Sequence, residues 1–261
     1  VQQRGVTRLS WQTELTPRPD ALGAMGKPFA AMHVRQFKFS LLNGDLVRTM
    51  GTSGPLTALT NGSISTTPFG VEFDSGDELS FELKREYDAP TDPFDLFDDV
   101  SIAPGRYAWN IAEVQFESSS ARMIGVDASY ARGSFYTGRG SEFSTSLSGR
   151  FAPHVNISVD YNRTAVSLAQ ATLTRRFVAQ TAQVRLDYAA SPRLSTTVFA
   201  QWDNESRRGA VNARARWTSS PGSDLYLVWT SQWPTGLERG IPWRTPTRGT
   251  MVAKYVKYFR V

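Results

Sequence analysis

A chain of 261 residues with 40% hydrophobic, 20% charged and 12% aromatic residues is too apolar to stay disordered, and it is long enough for one large β-domain or two smaller ones. Its net charge of +5 and pI near 9.6 come from Arg and Lys scattered along the chain rather than gathered on one element, which argues against a nucleic-acid partner. Cysteine is absent, which excludes a disulfide scaffold and thiolate metal sites. The longest uncharged stretch, 51–71, is rich in Ser, Thr and Gly and broken by two prolines, so no membrane-spanning helix is predicted.

In chain order, alternation and turn chemistry predict strands near 6–15, 29–42, 66–74, 78–87, 105–118, 121–131, 140–151, 154–163, 176–189, 193–203, 209–218, 224–231 and 249–261. The start, Val1-Gln-Gln-Arg-Gly, has no basic residue followed by an apolar core, so a secretory leader is expected to have been removed or to lie upstream. Asn43-Gly44 and Asn61-Gly62 are candidates for hairpin turns. From about Phe143 onward one unit recurs, about ten residues alternating apolar and polar. Val211, Ala213, Ala215 and Trp217 point one way, and Asn212, Arg214 and Arg216 the other. Val155, Ile157, Val159 and Tyr161 alternate in the same way with Asn156, Ser158, Asp160 and Asn162, as do Ala182, Val184, Leu186 and Tyr188 with Thr181, Gln183, Arg185 and Asp187.

Connections fall into two classes. Those at 75–77, 118–120, 152–153, 191–192 and 220–222 are tight, whereas 88–104, 132–139, 164–175 and 232–248 are longer. Long two-faced strands with alternating short and long connections predict an all-β fold: an antiparallel up-and-down transmembrane β-barrel of about 13 to 16 strands in a bacterial outer membrane. With the short turns periplasmic, the last strand ends in the periplasm. Thirteen strands counted back then place the first residues outside. Either a strand is missed around 43–65 or residues 1–261 are the C-terminal part of a longer barrel, and the second is preferred.

Six motifs bear on this choice: Pro68-Phe-Gly-Val-Glu-Phe-Asp-Ser-Gly-Asp-Glu-Leu79, Ala103-Pro-Gly-Arg-Tyr107, Gly133-Ser-Phe-Tyr-Thr-Gly138, Leu186-Asp-Tyr-Ala-Ala-Ser-Pro-Arg-Leu194, Val211-Asn-Ala-Arg-Ala-Arg-Trp217 and Ser220-Pro-Gly-Ser-Asp-Leu-Tyr-Leu-Val-Trp229. In order and spacing, from about residue 65 to the end, they resemble a bacterial outer-membrane family. Its members join a β-sandwich like a family 9 carbohydrate-binding module to a large C-terminal barrel of unknown function. The resemblance implies that the sandwich and the first barrel strands lie upstream of Val1. The chain departs from the family in an acidic 88–99 and an expanded 43–65, and the resemblance carries over no catalytic residue.

Arg150, Asp160, Arg185, Asp187, Arg214 and Arg216 fall on the expected inner face, with Glu82, Lys84, Glu113 and Glu117 on neighbouring strands. Mixed charge there is read in two ways, as a lumen selecting polar or anionic solutes or as an ion-pair network that stiffens the wall. Tyr161, Tyr188, Trp202 and Trp217 lie near strand ends and are the expected aromatic girdles. A soluble sandwich with an aromatic core is the bland alternative. Asp88, Asp92, Asp95, Asp98 and Asp99 lack the spacing of a calcium loop and read as a solvated extracellular loop.

Neither His33 nor His154 sits beside a nucleophile motif, and Gly138-Arg-Gly140 lacks the third glycine of a nucleotide loop. No catalytic, metal or cofactor residue is therefore expected. The functional expectation is a non-enzymatic barrel, either a pore for polar solutes or a membrane anchor for a glycan-binding domain. Its partners would be outer-membrane lipid, a polar solute or glycan, and envelope proteins. The alternatives are a structural subunit of an envelope assembly and a barrel hydrolase acting on lipid or glycan.

Overall fold

A computed structural model describes residues 6–49, 59–97, 100–170, 173–235 and 248–258. The chain is all-β and antiparallel, with one short α-helix. Its elements are β1 (Val6–Trp11), a 3-10 helix (Pro19–Gly26), α1 (Lys27–Ala31), β2 (Val34–Phe37), β3 (Ser40–Thr49), β4 (Leu59–Phe73), β5 (Glu78–Asp88), β6 (Phe94–Phe97), β7 (Val100–Ile102), β8 (Tyr107–Glu117) and β9 (Ile124–Phe135). They continue with β10 (Gly138–Ala152), β11 (Val155–Gln170), β12 (Leu173–Ser191), β13 (Leu194–Asp203), β14 (Arg208–Ser220), β15 (Ser223–Pro234) and β16 (Arg248–Lys257). No described helix is long and apolar enough to cross a membrane, which says nothing about strands.

The chain divides into two compact units. The first holds Val1–Ser120, Ala128–Phe143 and Thr164–Val178, and the second holds Ala121–Asp127, Ser144–Arg163 and Ala179–Val261. β9 to β12 therefore contribute residues to both. In the first unit the hydrogen-bonded order is β1-β3-β4-β5-β8-β9-β10-β11-β12, with β2 also on β4 and with β6 and β7 forming a separate hairpin. In the second the order is β9-β10-β11-β12-β13-β14-β15-β16. Among the described residues no ladder closes the sheet into a barrel.

Several expectations are corrected here. The strand expected over 29–42 begins only at Val34, because Pro28 stands in the first turn of α1, where its missing N–H costs nothing. Asn43-Gly44 and Asn61-Gly62 are not turns, since both lie within paired strands, β3 and β4. Gly44 is required for packing: a Cβ there would fall 2.2 Å from the indole ring of Trp11, its partner on β1. Of the segment 43–65, β3 holds the residues up to Thr49 and β4 those from Leu59, and residues 50–58 lie outside the described residues.

The long connection expected at 132–139 is a two-residue link, Tyr136-Thr137, and β11 and β12 take up most of the one expected at 164–175, because the strands run on past the alternating apolar stretch; residues 171–172 lie outside the described residues. The tip Tyr136 has φ 45°. Most of the expected loop 232–248 lies outside the described residues.

The hydrophobic cores belong to the first unit. One joins Val100 and Ile102 of the β6–β7 hairpin to Val166 and Leu168 of β11, with Leu96, Tyr107, Phe135 and Tyr136 around them. The other gathers Val34, Phe37 and Val71 with Phe29 of α1, Phe39, Phe73 and Leu79. Phe29 meets Phe37 edge-on at 5.1 Å. Every buried hydrophobic side chain among the described residues lies in this unit.

Candidate functional site: the charged face

In the second unit, register places the charges together. Arg185 opposes Phe199 and Asp187 opposes Thr197 across β12 and β13, while Thr197 and Ser195 in turn oppose Arg214 and Arg216 of β14. Arg216 opposes Tyr226 of β15. Four of the six inner-face candidates thus share one face of adjacent strands.

Two clusters form there. Arg185 Nε donates to Asp187 Oδ2 at 2.8 Å, and Thr197 Oγ1 donates to Asp187 Oδ1 at 2.7 Å. The Arg216 guanidinium grips Asp224 with Nε and Nη2 at 3.1 and 3.2 Å, and Thr218 Oγ1 donates to the same carboxylate at 2.5 Å. The guanidinium carbons of Arg214 and Arg216 lie 5.0 and 5.9 Å from the centre of the Tyr226 ring. Arg150, exposed on β10, and Asp160, half-buried on β11, lie outside these two clusters.

Alternation from Leu194 to Asp203 also sets Thr197 with Ser195, Gln201 and Asp203 on the polar face, whereas Asp224 and Tyr226 escape the sequence reading. The alternation of β15 would have placed Asp224 and Tyr226 on the same face as Arg216, had register been known.

The opposite face of the same strands is apolar and open. Val184, Tyr188, Leu194, Trp217, Leu227, Trp229, Met251 and Tyr255 are all exposed, up to 72% for Met251. All of them belong to the face that alternates with the arginines. Aromatics stand toward both strand ends. Tyr188 and Trp217 lie by the tight turns and Tyr255 shares their end, whereas Trp202 and Trp233 flank Gly209 at the other end. Trp202 is half-buried and its Nε1 donates to Thr235 Oγ1 at 3.0 Å. Tyr161 is half-buried on β11. Trp233 and Tyr255 stand at these strand ends without having been expected there.

In the first unit the polar face is acidic. Across β5 and β8 the register sets Glu82 opposite Glu113 and Glu78 opposite Glu117, two like-charged pairs that weaken a sheet. Lys84 Nζ lies 2.8 Å from Glu86. Toward the tight turn Glu72 opposes Glu78, and Lys38 bridges both. Arg8 pairs with Asp45 through a second, bidentate contact. The other face again bears exposed Leu9, Ile64, Phe69, Leu83 and Val114.

The acidic segment 88–99 is not simply a solvated loop. It leads into the β6–β7 hairpin, whose Val100 and Ile102 pack on β11. Tyr136, at the tip between β9 and β10, donates its hydroxyl to Asp88 Oδ2 at 2.6 Å and packs against Trp109 at 4.7 Å and Tyr107 at 5.0 Å. Burial, and then the hydrogen bond to Asp88, push the Tyr136 phenol well above the ordinary tyrosine range. Asp95 pairs with Ser101 within the hairpin, and Asp92 accepts from Thr91. Asp98 and Asp99 lie outside the described residues.

Two cavities border Trp109 and Glu86. One of about 210 Å³ is lined also by Ile111, Phe135, Glu142 and Thr164, and one of about 360 Å³ by Asp45, Asn61, Ser63 and Asp88. No group of three or more His, Asp or Glu among the described residues is arranged to hold a metal ion. His33 Nδ1 lies 3.5 Å from Asp74, but on a turn where both side chains are mostly exposed. His154 is exposed at the β10–β11 turn.

No family model, curated protein or solved structure matches this chain.

Proposed function

We propose that this chain is a non-enzymatic β-barrel of the bacterial outer membrane that passes polar solutes along its charged face. The observation that supports the reading is the division of faces. Along most described strands of each unit, large apolar side chains stand exposed on one side and ion pairs gather on the other, with Val6 and Val252 as exceptions exposed on the charged side. A protein dissolved in water rarely leaves so many contiguous apolar side chains uncovered. Lipid is the cover that needs no hydrogen bonds from them, and the aromatic ends of β12 to β16 match the two interfaces of a hydrocarbon layer. The C-terminus is then periplasmic. The mixed charges of Arg185, Asp187, Arg214, Arg216 and Asp224 favour small polar solutes over apolar ones.

The second reading is an anchor that carries a glycan-binding domain and conducts nothing. It is favoured by the β6–β7 hairpin, whose packing on Tyr136, Val166 and Leu168 fills part of the polar side in the first unit.

Reconstitution in lipid vesicles separates the two. The pore reading expects stepwise conductance and uptake of small sugars or ions, with larger conductance once residues 94–102 are deleted. Insertion with no conductance in either form leaves the anchor. Failure to insert into vesicles at all overturns both.

A further inference from the structure

The ion pairs of the polar face leave one set of charges unused. Arg85 of β5, Arg132 of β9, Arg139 of β10 and Arg176 of β12 all belong to the first unit, and all are exposed. Register and alternation set them on the apolar face. Arg85 opposes Ile64 and follows Leu83, Arg132 follows Tyr130, and Arg139 and Arg176 precede Phe143 and Val178 on the same side of their strands. Arg132 borders the cavity beside Trp109 only within the consecutive run Ala131–Phe135, whose side chains alternate, and it is exposed together with Tyr130 and Ser134. Each arginine stands toward the strand end away from the tight turns.

No acid answers them. Every Asp and Glu of β5, β8, β9, β10 and β12 alternates onto the opposite face, and none of the four guanidinium groups has a hydrogen bond or ion pair among the described residues. On the polar face, by contrast, Arg8, Lys38 and Lys84 each hold a carboxylate. The row is also one-sided. At the tight-turn end the same apolar face carries Leu79, Phe116 and Ile124, with no cation among them.

We propose that these four arginines bind the phosphates of anionic lipid headgroups in the leaflet at that end of the strands. The inference rests on the membrane reading above, in which the exposed apolar side chains meet hydrocarbon. A step of two to four residues advances about 7 to 13 Å along a strand, so each arginine reaches headgroup depth when its apolar neighbour marks the hydrocarbon edge. The guanidinium fork donates in pairs to phosphate oxygens and keeps its charge at every physiological pH. Tyr130 and Tyr87 add amphipathic rings at the same depth. Anchoring alone would place cations at both ends, whereas a one-sided row matches a bilayer whose leaflet at that end is the richer in phosphate.

Native mass spectrometry of the full chain in neutral detergent tests it. Bis-phosphorylated lipid A is the probe, its dephosphorylated form controls for acyl contacts, and inorganic phosphate is the soluble competitor. Lipid A is retained at least about tenfold more tightly than the dephosphorylated form, and inorganic phosphate does not displace it. Arg132→Gln and Arg139→Gln each weaken retention about fivefold and the double variant further, whereas Arg193→Gln, at a tight turn, leaves it unchanged. Insertion into vesicles checks that each variant folds, and should the double variant fail, the single variants carry the test. Equal retention of the two lipids, displacement by inorganic phosphate, or full retention in folded arginine variants overturns the site alone. Failure of the wild type to insert overturns the membrane reading and the site with it.

Discussion

The two units use the same strand pattern to opposite ends. The first builds hydrophobic cores by folding other segments onto its sheet, the β6–β7 hairpin at Leu168 and α1 at Phe37. Among its described residues the second buries no large apolar side chain and leaves Trp217 half exposed. Their polar faces differ in arrangement as well. Opposed glutamates mark the first, whereas arginines held by Asp187 and Asp224 mark the second. The comparison teaches that alternation fixes which side chains share a face but not what covers that face. Covering segments come from the connections, where alternation is silent.

Truncation tests the contrast most severely. Leu168→Ala, at a side chain only 1% exposed, should cost about 2–5 kcal/mol, read as a lowered denaturation midpoint in detergent. Leu227→Ala, 37% exposed in the second unit, should cost under about 0.5 kcal/mol. Equal losses would mean that protein, not solvent or lipid, covers the second sheet.

Gly133→Ala comes next. A Cβ there would fall 2.0 Å from the carbonyl oxygen of Asn110, so β8 or β9 must shift, at a cost of about 1–3 kcal/mol. A normal melting temperature in this variant would show that the two backbones are not so close.

Tyr136→Phe should lose about 1 kcal/mol by removing the bond to Asp88. It also carries a pH signature. The folded phenol holds its proton above the unfolded value of about 10, so its contribution is complete below that pH and is lost as pH rises through the folded value. Wild type should therefore lose stability more steeply than Tyr136→Phe in alkali, and parallel profiles would contradict this. The smallest effect belongs to Arg216→Gln, whose half-exposed guanidinium is removed while Thr218 still donates to Asp224, and which should shift melting slightly at low salt and less at high salt.

Much of the second unit was legible in the sequence. Val211, Ala213, Ala215 and Trp217 share one face and Asn212, Arg214 and Arg216 the other, as strict alternation requires. Alternation depends only on the pleat, so it survives ignorance of partners. What escaped depends on register or on distant packing. Asp224 meets Arg216 because β14 and β15 are joined across Ser220 and Ser223, a pairing that strand boundaries soft by a few residues cannot predict. In the first unit the failures run deeper. Asn43-Gly44 has the composition of a hairpin turn, yet Gly44 serves to seat Trp11 from a strand more than thirty residues away. The hairpin at 94–102 hides among aspartates and prolines, where its three core residues, Leu96, Val100 and Ile102, are diluted by charge.

The registers of the second unit bear on how its sequence can drift. The irregularities in the described ladders of β12 to β16 sit beside tight turns, at Ala189/Ser191 and Thr218/Ser220, and the runs between them are unbroken. One residue inserted into the middle of β14 would carry Arg214 or Arg216 across to the side of Trp217 and Val211. Length in these strands can therefore change in twos, or at the turns, while single insertions elsewhere are lethal to the pattern. Among relatives of this chain, gaps within β12 to β16 should cluster at 189–193 and 218–223 and come in even numbers between them.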